Sequence, residues 1–150
     1  MKIDVFSHII TAEYRDKLLR KAKGGPKTPL IPHYVTSNPP LCNLDIRLRL
    51  LDRYPDYKQV ITTSLPALDD SVVSVDDAIE LAKIANEELA ELVTKYPDKF
   101  VAAAACLPVN DIDACVEEAE RAITQLGHKG IQVFTKMNDV PITDKMFWPL

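Results

Sequence analysis

The strongest constraint on this chain is an alternation: four short apolar runs, separated by stretches of helical periodicity. Residues 2–8 (KIDVFSH), 59–65 (QVITTSL), 100–107 (FVAAAACL) and 129–134 (KGIQVF) are strand-length and rich in β-branched, aromatic or small side chains. The second and third run almost without polar interruption, as strands covered on both faces do in a parallel sheet. Strand–helix alternation predicts a parallel α/β architecture. Right-handed crossovers put the helices outside a curved barrel sheet, or on both faces of an open one. Periodicity does not choose between the two.

The helices have legible ends. Ser74 is an N-cap residue with Asp77 three positions on, and Leu81, Ala85, Leu89, Leu92 and Tyr96 then mark one buried face. Pro97 stops that helix. Asn110, with Asp113 three residues later, is expected to cap the next, whose stripe is Ile112, Cys115, Val116, Ala119, Ile123 and Leu126. Gly127 is placed to end it in a left-handed conformation. Further helices are expected near 11–22 and 43–54, and Thr143 is expected to cap one that opens at 142–150 and stops in mid-pattern, so the chain reads as unfinished. Residues 24–43 contain five prolines and two glycines, which predicts a long loop with little regular structure.

Composition narrows the function classes. The 150 residues carry 47% apolar and 27% charged side chains and a net charge of −4, an ordinary soluble balance with no basic stripe for nucleic acid. No apolar run approaches the ~20 residues that span a bilayer. Cys42, Cys106 and Cys115 are odd in number and unclustered, which suits reduced packing thiols in the cytoplasm.

The order Tyr96-Pro97, Leu107-Pro108, Glu120-Arg121 and Gly127-x-x-Gly130, within NEELAELVTKYPDKFVAAAACLPVND and EEAERAITQLGHKGIQVFT, resembles the amidohydrolase-related family that includes aminocarboxymuconate-semialdehyde and resorcylate-type decarboxylases. Residues 144–150 also look like that family's next helix start. The resemblance implies the first four βα units of a TIM-like barrel, about half of one, with residues 24–43 as a loop within it. It implies hydrolysis or non-oxidative decarboxylation of a small carboxylated substrate. It also implies a divalent metal, zinc or manganese.

That family's first strand ends Asp-x-His-x-His. Here the stretch is Asp4-Val5-Phe6-Ser7-His8. His8 matches the second histidine and is the metal-ligand candidate. Phe6 stands at the first, and a phenyl ring cannot bind a metal. The family's remaining ligands fall beyond residue 150. The alternative is a degenerate or truncated scaffold that oligomerises or binds without a working metal site. Open edges on the first and fourth strands favour a homo-oligomer.

Other candidates carry plainer readings. Asp4 reads as a strand-start carboxylate satisfied by backbone amides. Lys136, after the fourth strand, is the candidate for binding an anionic substrate. His33 reads as a loop residue, and His128 as structural, in a turn at the far end of the barrel from the chemistry. Thr62, Thr63 and Ser64 end the second strand near the expected catalytic rim, and Cys106 ends the third as a packing thiol. Arg47 and Arg49 are expected to pair with Asp45 or Asp52 at helical spacing.

Overall fold

The computed structural model describes residues 1–23, 37–63 and 66–150. His33, Ser64 and most of the proline-rich loop lie outside the described residues.

Four parallel strands form one sheet in the order β1 (Lys2–His8), β2 (Tyr57–Thr62), β3 (Phe100–Ala105), β4 (Gly130–Ile131). Chain order equals spatial order, and the sheet curls into a half-barrel with helices packed on it. This is the parallel α/β architecture that the alternation predicts and the partial TIM-like barrel that the resemblance implies. The helices are α1 (Ala12–Lys21), α2 (Pro39–Cys42), α3 (Leu44–Leu51), α4 (Val75–Lys95) and α5 (Ile112–Thr124). The short α2 falls inside the segment expected to lack regular structure. Pro39 and Pro40 fill its first turn, where a missing N–H costs nothing.

Three strands differ in extent from the expectation, β3 ending at Ala105 instead of the expected 107. β2 begins at Tyr57, because Tyr57 and Lys58 pair with Lys2 and Ile3 of β1. β4 is shorter than 129–134: only Gly130 and Ile131 pair with β3, although the Gln132 amide extends the ladder by bonding the Ala105 carbonyl at 2.8 Å.

Between sheet and helices, Ile9, Leu51, Ile61, Leu89, Phe100 and Ala103 pack as one buried cluster, while Tyr14, Leu18, Leu81 and Ala85 join α1 to α4. The opposite side of β1 is open, with Val5 73% and Phe6 65% exposed.

Caps follow side-chain geometry closely. Ser74 accepts from the Asp77 amide as expected. Asn110 does not cap α5. Asp111 does, accepting from the Ala114 amide at 2.9 Å, because it stands one residue nearer the first turn. Thr143 likewise caps nothing: Asp144 accepts from the Met146 amide and opens only a 3-10 turn, Lys145–Phe147. Thr11 precedes α1 without a side-chain cap. Glu88 of α4 does that work across space, accepting from the Glu13 and Tyr14 amides at 3.2 and 2.9 Å. The stripe on α5 is also rotated from the expected one: Cys115, Glu118 and Ala122 are buried and Ile123 is exposed.

After β4, a two-stranded hairpin forms from β5 (Lys136–Met137) and β6 (Val140–Pro141). Asn138 and Asp139 turn it, both at positive φ, as a two-residue hairpin loop of the I′ kind requires. Gly127 takes φ +76 after α5, the left-handed conformation its position called for.

Candidate active site at the carboxyl rim

All four strands run the same way, so His8, Thr62, Cys106 and Gln132 gather at one end of the sheet, the end that carries chemistry in barrels of this type. Which face each side chain takes depends on a bulge. Three steps on β1, Asp4 to Ser7, oppose two on β2, Gln59 to Ile61. Asp4 stabilises it by accepting from the Phe6 amide at 3.1 Å. The extra residue puts Asp4 and Ser7 on the helix-covered side, with Gln59 and Ile61. Phe6 and His8 then share the open side, where their rings meet edge to face at 4.5 Å between centroids.

His8 is half-buried, and its Nδ1 lies 2.7 Å from the Thr63 carbonyl oxygen. A carbonyl can only accept, so Nδ1 carries a proton, and in the neutral imidazole Nε2 is the nitrogen with the lone pair. This is the arrangement that orients metal-binding histidines. Beside it, Thr62 Oγ1 donates to Gln132 Oε1. Gln132 has committed its oxygen, and its amide NH₂ is the donor it can offer a ligand. Sequence reading missed Gln132, because a lone glutamine one residue beyond a short strand has no motif around it.

Asp4 is satisfied locally, by one backbone amide and by the Tyr57 hydroxyl where backbone amides alone are expected. Burial alone raises its pKa, but hydrogen bonds from Tyr57 Oη at 2.7 Å and from the Phe6 amide outweigh that and hold it below the usual carboxylate value. Cys106 is buried and its thiol is pushed up to about 11 by desolvation, which removes it as a nucleophile at neutral pH. Lys136 is exposed in β5, on the hairpin that follows β4. His128 is buried just before β4, its Nε2 donating to the Asn86 carbonyl at 3.0 Å.

The expected ion pairs of Arg47 are absent. It turns inward instead, 7% exposed, where oxygens of Ser7, His8, Gln59 and Pro40 accept its N–H groups. Asp52 pairs with Lys99, and Arg49 is exposed. Asn86, also unforeseen, is fully buried. Its amide accepts from the Cys106 N–H and donates to the Cys106 carbonyl and to Glu118. It clamps the end of β3 to α4 and α5.

The cleft at the ends of β2, β3 and β4, between Thr63, Cys106, Gln132 and Phe134, holds about 10 Å³, room for about one water. Larger hollows of about 410 and 550 Å³ are open grooves beside α5, on the helical exterior. They lie away from the rim, and size alone does not make them sites. Among the described residues no three His, Cys, Asp or Glu side chains come together to hold a metal. The fit to a divalent ion is one preoriented imidazole, with Phe6 beside it instead of a second. Among the described residues no helix is long and apolar enough to cross a membrane.

Known proteins agree with this geometry. Gamma-resorcylate decarboxylase of Rhodococcus jostii is 38% identical over 89 residues, 59% of this chain and 26% of that protein. The solved structure of 5-carboxyvanillate decarboxylase from Novosphingobium aromaticivorans, complexed with manganese and 4-hydroxy-3-methoxy-5-nitrobenzoic acid, superposes with a TM-score of 0.80 at 25% identity, over 99% of this chain and 46% of that one. Dihydroxybenzoic acid decarboxylase from Polaromonas sp. JS666, with bound manganese and the inhibitor 2-nitroresorcinol, gives 0.69 at 27% identity, over 99% and 44%. The chain thus spans about a quarter of the curated relative and under half of the solved ones. The amidohydrolase family model matches residues 8–150, and the chain belongs to that family.

Proposed function

We propose that this chain contributes the first βα units of a metal-assisted, non-oxidative decarboxylase acting on a small, planar carboxylated substrate. The observation that carries this reading is His8 at the carboxyl rim, with Nδ1 bound to the Thr63 carbonyl and Nε2 left as a donor. Relatives that are decarboxylases of resorcylate and carboxyvanillate support the reaction class over hydrolysis. A bound divalent ion, manganese or zinc, would hold the substrate's oxygens and stabilise charge on them. His8 would be one of its ligands, and further donors would come from outside these four strands. Gln132 would donate from its amide, and Lys136 would meet the substrate's carboxylate. The chain's three cysteines are free, which supports a cytoplasmic setting.

Release of CO₂ from hydroxylated benzoates in the presence of Mn²⁺ tests the reading. His8→Ala is expected to lower kcat at least ~100-fold, and Lys136→Ala to raise KM several-fold with kcat nearly unchanged. Undiminished turnover in His8→Ala rejects the role of His8.

A second reading has its own observation. Phe6 packs against His8 where another imidazole would complete a pair, as in a scaffold that has lost its ion. Absence of both CO₂ release and Mn²⁺ binding in the whole protein selects it.

A further inference from the structure

We infer that Arg47 is a positioning residue, which sets the orientation of His8 from behind the sheet. The inference rests on the reading of His8 as a metal ligand for its functional meaning, though not for its geometry. Arg47 is buried on the helix side of β1, away from the face that carries the imidazole. Its Nη1 donates to the His8 carbonyl at 2.6 Å and to the Pro40 carbonyl at 3.2 Å. Nη2 donates to Ser7 Oγ at 2.7 Å and Nε to Gln59 Oε1 at 3.0 Å. The Phe100 ring lies 6.0 Å from the guanidinium carbon. Every hydrogen-bonding partner is neutral, and among the described residues no carboxylate lies within ion-pair distance of it.

A buried cation with no carboxylate in direct contact, attracted only at longer range by Asp4, is a costly choice for joining a helix to a strand, since an apolar side chain of similar volume would join them more favourably. What the guanidinium supplies that an apolar chain cannot is a rigid fork. Its donors fix three backbone segments at once: the end of β1, the middle of β2 and the turn before α3. His8 is then held from both sides of its Cα. Arg47 holds its carbonyl, and the Thr63 carbonyl holds its ring. The bulge at Val5-Phe6 makes this necessary, because an irregular strand end has fewer ladder bonds to define its last residue. Ser7, which the bulge turns inward, is the side chain that receives the fork.

The test is ¹⁵N and ¹³C NMR of the imidazoles in the whole protein, with Mn²⁺ alone as the probe ion. The three histidines give separable signals, and His128, bound to Asn86 and not to Arg47, is the internal control. Wild-type His8 is expected almost entirely as the Nδ1–H tautomer. In Arg47→Met the two tautomers should mix, and Mn²⁺ should bind about 10- to 100-fold more weakly, the usual effect of losing a ligand's supporting partner. Arg47→Lys, with one ammonium in place of the fork, should fall between. A merely structural role would lower stability while leaving the His8 tautomer ratio as in wild type. That result in Arg47→Met, or in Arg47→Lys if the methionine variant does not fold, overturns the inference. If Mn²⁺ never broadens His8 in wild type, the metal reading fails, and the tautomer ratio still decides the role of Arg47.

Discussion

Two buried polar side chains, Arg47 and Asn86, tie the rim to the helices, and neither shows in hydrophobic patterning. Arg47 sits three residues from Leu44 and four from Leu51, on what sequence alone reads as a helix with an outward charge ladder. Pairing with Asp45 or Asp52 is the cheaper local expectation, and only tertiary burial of α3 overrides it. Asn86 lies on the same face of α4 as Leu89 and Ala85, among residues that pattern reading assigns to the core. Because its amide serves both backbone groups of Cys106, Asn86→Ala strands a buried N–H and a buried carbonyl. A loss of about 3 kcal/mol is expected, read as a shift in the urea midpoint; a loss under about 1 kcal/mol would show that water replaces the clamp. His8 is legible because Asp4 and His8 match the first and last positions of the Asp-x-His-x-His strand end that the resemblance supplies. The bulge that decides its face was not, since one extra residue leaves no mark on composition.

At the scale of elements, the parallel order of four strands and the ends of α4 followed from alternation, Ser74 and Pro97. The caps of α5 and of the last turn did not, because Asn110-Asp111 and Thr143-Asp144 each offer two competent neighbours and local patterning does not rank them. Asp111→Ala should therefore cost about 1 kcal/mol, and Asn110→Ala should cost little through the helix end. Circular-dichroism melts of the two variants check this, and equal losses would contradict the assignment. Gly127 at φ +76 gives a second test at the same helix. Any L-residue there meets the left-handed penalty, so Gly127→Ala should cost about 1–2 kcal/mol although nothing stands in the way of the added methyl. The stripe on α5 misled because Glu118 is apolar-facing yet satisfied: Asn86 reaches it at 2.6 Å and Arg121 binds it through Nε at 2.8 Å. A carboxylate paired in this way can occupy a core position that pattern reading reserves for Ile or Leu.

For the whole molecule, two histidines carry the pH and metal dependence. His128 is buried just before β4, and burial holds its pKa below the ordinary histidine value despite the Asn86 carbonyl, which pulls the other way. The unfolded chain therefore binds a proton at His128 more readily than the folded one does. The resulting stability is complete above about pH 6.5 and is lost as pH falls through that value toward the folded pKa. Urea midpoints measured from pH 8 to pH 5 should decline in wild type and decline less in His128→Asn, provided that variant folds; identical slopes would remove His128 as the cause. At the carboxyl end, the account depends on His8 offering Nε2 to a divalent ion. Electron paramagnetic resonance counts free Mn²⁺ directly as protein is titrated in. Wild type should take up Mn²⁺ stoichiometrically and His8→Ala should lose most of that uptake, whereas equal uptake by the two proteins would place the ion elsewhere and contradict the account.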